Sequence, residues 1–338
     1  MSNKPLIVSG IQPTGNLHIG NYLGAVKNWI ELQNSGKYDM HIFIADLHSL
    51  TGKLSADELR EQIIKTSAEL LASGIDPKET TLWVQSHVAE HSELTWIFNC
   101  VTPIAELERM TQFKDKSQQQ AKNINVGLFD YPVLQAADIL LYKGELVPVG
   151  QDQVQHVELT RDIARWFNKK FGEYFPETKP LLTEIPKVMS LLEPMKKMSK
   201  SLGLGHVIEL ADEPEVIEQK LKKAVTATEG GGLAPGVENL LLLLKQFSAQ
   251  GGSTSGGSDD TLYKKFVSAE KDGSIRYGDL KTELAKAIGT YFEEFRKKRL
   301  ELLEDRDKLG EILALGAKKA RVEARETMDS VRKMVGIR

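Results

Sequence analysis

Two short stretches of this sequence carry residue types that could hold and move phosphate charge. Pro13-Thr14-Gly15-Asn16-Leu17-His18-Ile19-Gly20-Asn21 stands where an apolar run gives way to a helical pattern. Backbone N–H groups at a helix start can bind phosphate oxygens, and glycine lets a nucleotide approach the backbone closely. A tight strand-to-helix turn without a ligand would use the same glycines. The second stretch is Lys197-Met198-Ser199-Lys200-Ser201, followed by Leu202-Gly203-Leu204-Gly205, too polar and glycine-rich for a core. Two lysines separated by small hydroxyl residues on a mobile loop can follow a triphosphate whose charge migrates onto departing pyrophosphate. The plainer alternative is a solvated basic loop.

These stretches need a scaffold. Leu6 to Ser9 reads as a short buried strand ended by the Gly-Pro-Gly punctuation of Gly10 to Gly15, with a helix from about His18. His41 to Ala45 and Thr81 to Gln85 are further strand candidates. The helix between them starts at Ser55-Ala-Asp-Glu58, which has capping-box spacing, and stops at Gly74. Ser86 to Cys100, Ala105 to Asn125, Tyr131 to Tyr142 and Gln151 to Phe171 have helical spacing, and Leu146 to Val149 reads as the next strand. Strand alternating with helix predicts an α/β fold: a Rossmann-like, doubly wound parallel sheet with ligands at the carboxyl ends of its strands.

The later chain changes character. Gly230 to Gly236 and Gln250 to Ser258 read as mobile loops. From Asp279 onward long helices are expected. Leu280, Leu284, Ile288, Tyr291 and Phe295 form one apolar stripe, and Leu309, Leu313, Ala317, Ala320, Ala324, Met328, Val331 and Val335 form another. The charged connection Glu304-Asp305-Arg306-Asp307 suggests a hairpin between them. The expected division is a Rossmann-like catalytic domain at 1–190 and a mobile lysine loop at 191–206. A C-terminal all-α helical domain follows at 207–330, with the helix end and tail, 331–338, packing on the catalytic domain.

Composition narrows the function classes. The 338 residues are 41% hydrophobic and 27% charged, enough for two domains without metal or disulfide staples, and the single Cys100 excludes a disulfide framework or Cys-rich zinc module. Met1 to Val8 has neither an apolar signal core nor an Arg-rich transit pattern, and no apolar run reaches membrane-spanning length. A soluble, cytoplasmic protein is expected. The net charge of −3 disfavours indiscriminate coating of nucleic acid. From Asp279 to Arg338, however, 15 basic residues face 12 acidic ones, so a polyanion would be met locally.

The two chemical stretches together resemble the HIGH and KMSKS signatures of class I aminoacyl-tRNA synthetases. Gly10-Ile-Gln-Pro-Thr-Gly15, Glu106-Leu-Glu-Arg-Met-Thr-Gln-Phe-Lys114, Tyr131-Pro-Val-Leu-Gln-Ala-Ala-Asp138 and Val147-Pro-Val-Gly-Gln-Asp-Gln153 resemble the bacterial tryptophan subgroup. The likeness is nearly full length, running through His156-Val-Glu-Leu-Thr-Arg-Asp162 to Leu313-Ala-Leu-Gly-Ala-Lys-Lys-Ala320. It implies activation of tryptophan by ATP to tryptophanyl adenylate and pyrophosphate, then transfer to tRNA. The attacking carboxylate, with an ordinary pKa of about 3.5, needs no general base at neutral pH, so orientation and charge stabilisation must supply the acceleration.

The resemblance also implies roles. Gln12, Pro13, Thr14, Gly20, Asn21, Gly150, Gln151, Asp152 and Val188 would line ATP, with Lys197, Met198, Ser199, Lys200 and Ser201 at the phosphates and Lys116 a third cation. Lys197, Lys200, Ser201 and Gln12 would carry catalysis. Mg²⁺ would arrive on ATP oxygens rather than in a carboxylate cage. Asp138 would accept from the indole N–H, which can only donate. Tyr131 and Gln153 would hold the amino group, and His48, Gln135, Val8, Gly10, Val147 and Val149 would complete the tryptophan pocket. The chain departs from the pattern where Asn21 replaces the second His of HIGH, where Gln135 replaces a frequent Met, and where Gln151 replaces Glu. Near Val225 to Thr228 the usual Asp is absent.

A homodimer and an anticodon-binding role for the helical domain are implied too. Arg296-Lys-Lys-Arg299 is a candidate tRNA contact and equally an ordinary solvated helix face. A tyrosine-specific relative could use Asp138 on a phenol. A nucleotidyltransferase would not account for the C-terminal helices, and a non-catalytic RNA-binding paralogue would not need the lysine loop.

Overall fold

The computed structural model describes residues 4–110, 125–150, 153–182, 186–226, 234–248 and 261–337. Contacts divide the chain into a sheet unit (Met1–Gly15, Leu32–Glu184, Leu302–Arg338) and a helical unit (Asn16–Glu31, Ile185–Glu301).

In the sheet unit, β1 (Leu6–Ile11), β2 (Asp39–Ile44), β3 (Thr80–Val84), β4 (Leu146–Val149) and β5 (Lys179–Leu182) lie in the order β3-β2-β1-β4-β5, every pairing parallel. This is the doubly wound order, and the strand sequence reverses direction between β1 and β4, where such sheets bind ligands. β1 and β2 pair from Leu6↔Asp39 to Ile11↔Ile44. Strands covered on both faces need apolar residues nearly throughout, and five of the six residues of β2 are buried. The expected strands match β1 to β4 within a few residues. β5 was not expected. Its Lys-Pro-Leu-Leu is short, and none of the four residues is buried.

The helix Ala56–Ser73 carries the anticipated capping box, with Ser55 and Glu58 bonding each other's backbone N–H, and ends on Gly74 at φ 120°. The helix Val126–Leu140 begins earlier than the expected Tyr131, because the Asn125 side chain accepts from the Leu128 N–H at 2.9 Å and caps it. Part of the helix expected from Ala105 to Asn125 lies outside the described residues, as do most of the two glycine-rich stretches. Gly236 does not belong to a loop. It is buried in the first turn of the helix Pro235–Phe247, where a Cβ would lie 1.9 Å from the Val225 carbonyl oxygen.

The C-terminal helix corrects the expected division at 190 and 330. The break falls where Glu304 to Asp307 suggested it, with Asp305 capping the helix Arg306–Val335. Yet that helix is no part of a separate helical domain. Ala317, Ala320, Ala324, Met328 and Val331 join the sheet unit's core with Phe43, Trp83, Phe98 and Phe167. Gly316 makes the approach to β3 possible, since a Cβ there would sit 1.8 Å from the Leu82 carbonyl oxygen. Arg332 grips Glu93 through two hydrogen bonds, Nε at 2.9 Å and Nη2 at 2.5 Å. The other stripe stays in the helical unit, where Leu280, Leu284 and Ile288 are buried and their helix, Tyr277–Tyr291, packs on Pro214–Lys223 and Pro235–Phe247.

Candidate active site

In the helical unit, Asn16 to Asn21 of the first stretch meet the lysine stretch. The chain Leu17 to Ile19 runs beside Ile208 to Leu210, held by Ile19 N–H on the Ile208 carbonyl and Leu210 N–H on the Leu17 carbonyl, both 2.9 Å. The Asn16 side-chain amide donates to Glu209 at 2.9 Å. Lys200 Nζ then donates to the Asn16 backbone carbonyl at 2.6 Å. Gly20 is where bulk is forbidden: a Cβ would lie 2.9 Å from the His18 ring and 3.6 Å from Met198 Cβ.

His18 sets the turn. Its Nδ1 accepts the Asn21 N–H at 3.3 Å, while Asn21 Oδ1 accepts the His18 N–H at 3.2 Å, a reciprocal cap on the first helical residues. This requires an unprotonated Nδ1. Burial first, then the charges of Lys200 and Lys197, lower the His18 imidazole to about 4, so it remains neutral at neutral pH. Asn21 therefore has a local structural task, and it performs it without a titratable group.

The lysine loop is anchored from below. Met198 is buried and its N–H bonds the Val188 carbonyl at 3.0 Å. The neighbouring Met189 is clamped by both atoms of the Asn239 amide, at 2.9 and 3.0 Å. Ser199 and Ser201 bond each other's hydroxyls at 2.9 Å, and Lys197 is exposed. Asn239 lies outside every sequence-level expectation, because its partner is fifty residues away.

In the sheet unit, Gly10 belongs to β1, where a Cβ would lie 2.6 Å from the Phe43 ring. Gln12, Pro13 and Thr14 leave the carboxyl end of β1, and Gly150 follows that of β4, the two strands flanking the switch point. Val8 is fully buried, and Val147 and Val149 pack with Ile139 and Val157. Gln153 N–H donates to the Gly150 carbonyl at 3.0 Å. Gln135 is half-buried. Lys116, Gln151 and Asp152 lie outside the described residues.

Asp138 is wholly buried and fully engaged. Oδ1 accepts from Gln85 Nε2 at 2.6 Å and His91 Nδ1 at 2.7 Å, and Oδ2 from His48 Nε2 at 2.7 Å. Burial pushes its carboxyl up, but the donors of His48 and His91 outweigh this and hold it at about 2, so it is an acceptor at any ordinary pH. Three protein donors therefore already reach this carboxylate. Gln85 and His91 were missed because they are distant in sequence, one at a strand end and one in a stretch read only as helical.

His48 and Tyr131 also line a pocket of about 310 Å³, with Leu50, Thr51, Thr95 and Leu134 among its other walls. Tyr131 bonds His156 Nε2 through its hydroxyl at 2.9 Å. The other residues expected around tryptophan do not line that pocket. Arg296, the first residue of the basic run, is not a solvated contact. It is buried, donating to the Gly289 carbonyl at 2.6 Å with Nε 3.7 Å from Glu213. Among the described residues no helix is long and apolar enough to cross a membrane.

Comparison with known proteins gives the family. Residues 1–293 match the family model described as tRNA synthetases class I (W and Y). The chain is 44% identical to tryptophan–tRNA ligase 2 of Streptomyces avermitilis, over 99% of this chain and 98% of that protein. It is 43% identical to tryptophan–tRNA ligase of Clostridium tetani, over 99% and 96%. Among solved structures, the tryptophanyl-tRNA synthetase of Campylobacter jejuni complexed with ADP and tryptophan superposes with a TM-score of 0.83 at 35% identity, covering 98% of this chain and 99% of that one.

Proposed function

Because the chain belongs to the class I tRNA synthetases for tryptophan and tyrosine, we propose that it is a tryptophan–tRNA ligase. It activates tryptophan with ATP to tryptophanyl adenylate and pyrophosphate, then transfers the amino acid to the terminal ribose of its tRNA. The observation that carries this reading is the contact of Lys200 with the Asn16 carbonyl, which joins two stretches 184 residues apart that the chemistry requires together.

The first step is in-line attack of the tryptophan carboxylate on the α-phosphorus. No base is required; the leaving pyrophosphate needs cations and N–H donors. Lys197 and Lys200, with Ser201 beside them, supply positive charge and a hydroxyl that can follow it. Neutral His18 keeps the Gly20–Asn21 backbone in shape without adding charge. Gln12, Pro13, Thr14, Gly20, Asn21, Gly150, Val188 and Met198 are proposed nucleotide contacts, as the resemblance implies. Lys116, Gln151 and Asp152 keep the roles the resemblance implies. Mg²⁺ is proposed to travel on ATP, as the resemblance implies. Bound there, it would neutralise phosphate charge.

For tryptophan, Asp138 supplies the acceptor for the indole N–H, with His48, Gln135, Val8, Gly10, Val147 and Val149 around the ring and Tyr131 and Gln153 near the amino group. The helical unit is proposed to bind the anticodon, with Lys297 and Lys298 as its exposed cations in the basic run. A homodimer is proposed, as the resemblance implies. A cytoplasmic location follows from this activity.

ATP–pyrophosphate exchange, run separately with tryptophan and tyrosine, tests the reading. Exchange is expected with tryptophan only, and Asp138→Ala should lower kcat/KM for tryptophan by about tenfold to hundredfold. Equal exchange with tyrosine would overturn the substrate; no exchange with either would overturn the activity.

A further inference from the structure

An ionised carboxylate has about four acceptor directions. At Asp138 two donors fall on Oδ1 and one on Oδ2, which leaves one acceptor direction on Oδ2. The two donors on Oδ1, Gln85 and His91, are both 0% exposed, as is Asp138 itself.

Each of these donors is oriented from behind. The Gln85 amide oxygen accepts the Leu47 N–H at 3.1 Å, which turns its NH₂ toward Asp138. His91 Nε2 lies 2.9 Å from the Tyr142 hydroxyl. Because the ionised Asp138 needs a donor, Nδ1 carries the ring proton facing it, and in the neutral ring Nε2 then accepts from the Tyr142 hydroxyl. Burial raises the Tyr142 phenol well above its ordinary range, which keeps this donor protonated.

We propose that Gln85 and His91, with Tyr142 behind His91, are positioning residues for ring selection: they saturate Oδ1, lock the carboxylate plane and leave Oδ2 a single opening for one ring N–H. The inference rests on the reading of Asp138 as the indole acceptor. A ring without that donor leaves one buried lone pair unmet, whereas a carboxylate released at Oδ1 could turn and offer its acceptors indiscriminately.

The test is ATP–pyrophosphate exchange on the full chain with tryptophan and with its benzothiophene analogue, in which sulfur replaces the ring N–H at nearly the same size. His91→Leu and Gln85→Leu should raise KM for tryptophan by about tenfold to hundredfold while leaving kcat and the analogue's KM within about threefold. His91→Asn, which restores a donor where Nδ1 stood, should recover most of the loss. Tyr142→Phe removes one oxygen from a well-filled site and should raise the tryptophan KM several-fold without moving the analogue. Parallel changes for both substrates in all these variants, or no change in any, would overturn the proposal. Should Asp138→Ala itself leave the tryptophan-to-analogue ratio untouched, the underlying reading of Asp138 fails. A ratio that collapses in Asp138→Ala but survives His91→Leu, Gln85→Leu and Tyr142→Phe defeats the positioning role alone.

Discussion

Gly316→Ala places a methyl carbon 1.8 Å from the Leu82 carbonyl oxygen, 2.7 Å from its carbon and 3.3 Å from its nitrogen. A comfortable C···O approach is about 3.3 Å, so helix and strand must part by roughly 1.5 Å. No rotamer can relieve the clash, because both sides are backbone. A gap of half to one ångström already forfeits about a quarter to a half of a contact's attraction. The helix Arg306–Val335 has Leu309, Leu313, Ala317, Ala320, Ala324, Met328 and Val331 buried along its length. Overpacking of this kind costs about 1–3 kcal/mol, and the backbone nature of the clash points to the upper end. Alanine's better helix propensity returns about 1 kcal/mol, leaving a net loss of about 2 kcal/mol. Gly310→Ala is the matched control: Gly310 is exposed on the same helix with nothing within 4 Å of its would-be Cβ, so it should gain about 0.5–1 kcal/mol. Urea midpoints followed by tryptophan fluorescence measure the difference, about 3 kcal/mol between the two variants. Leu82 lies three residues before Gln85, so Gly316→Ala should also raise KM for tryptophan. If the two alanine variants are equally stable, the contact between helix and strand does not have the closeness argued here.

Lys200→Ala should lower the rate of adenylate formation by about 10²- to 10³-fold with little change in KM for tryptophan, measured by single-turnover exchange; a pure KM effect would refute its role on the phosphates. Glu323 is pushed up to about 7 by burial first and then by Glu326 and Asp39. A carboxyl with a raised folded pKa contributes stability below its unfolded value of about 4.5 and loses it as pH rises through 7. Its side chain is 45% exposed, so the effect is screened: Glu323→Gln should stabilise by about 1 kcal/mol at pH 8 and by nothing at pH 4, read from urea melts at each pH. Arg296→Ala should destabilise by about 2–3 kcal/mol by removing a buried charged hydrogen bond, whereas Lys297→Ala with Lys298→Ala should leave the melt unchanged and weaken tRNA charging while sparing adenylate formation. Equal loss of both activities in the double lysine variant would contradict the tRNA role of the helical unit.

What could be read from the chain alone was local. β1 to β4 were visible because buried parallel strands are apolar runs closed by turn residues, and the Ser55 cap because its partner is three residues away. The two phosphate-type stretches were legible by residue type, and resemblance joined them before any distance was known. β5 was not, since Lys-Pro-Leu-Leu is too short and too poorly covered to stand out. Two of the three donors to Asp138, Gln85 and His91, lie 53 and 47 residues distant, and nothing in their neighbourhoods marks them. The stripe from Leu309 to Val331 announced a buried helix face but not its partner. The address is written in Gly316 and its neighbouring alanines, which are legible only once β3 is seen beneath them. Arg296 looked like surface because a basic run gives no sign that one member turns inward to a carbonyl.

The sheet unit is sewn from three separated lengths of chain, and the last of them, Leu302–Arg338, is translated after the whole helical unit. A nascent polypeptide stopped before Leu302 would therefore expose the flank of Trp83 and Phe98 and leave β3 without the helix that lies against it. The core of the sheet unit is thus closed last in synthesis, while the Asn16–Lys200 contact needs nothing from beyond residue 301.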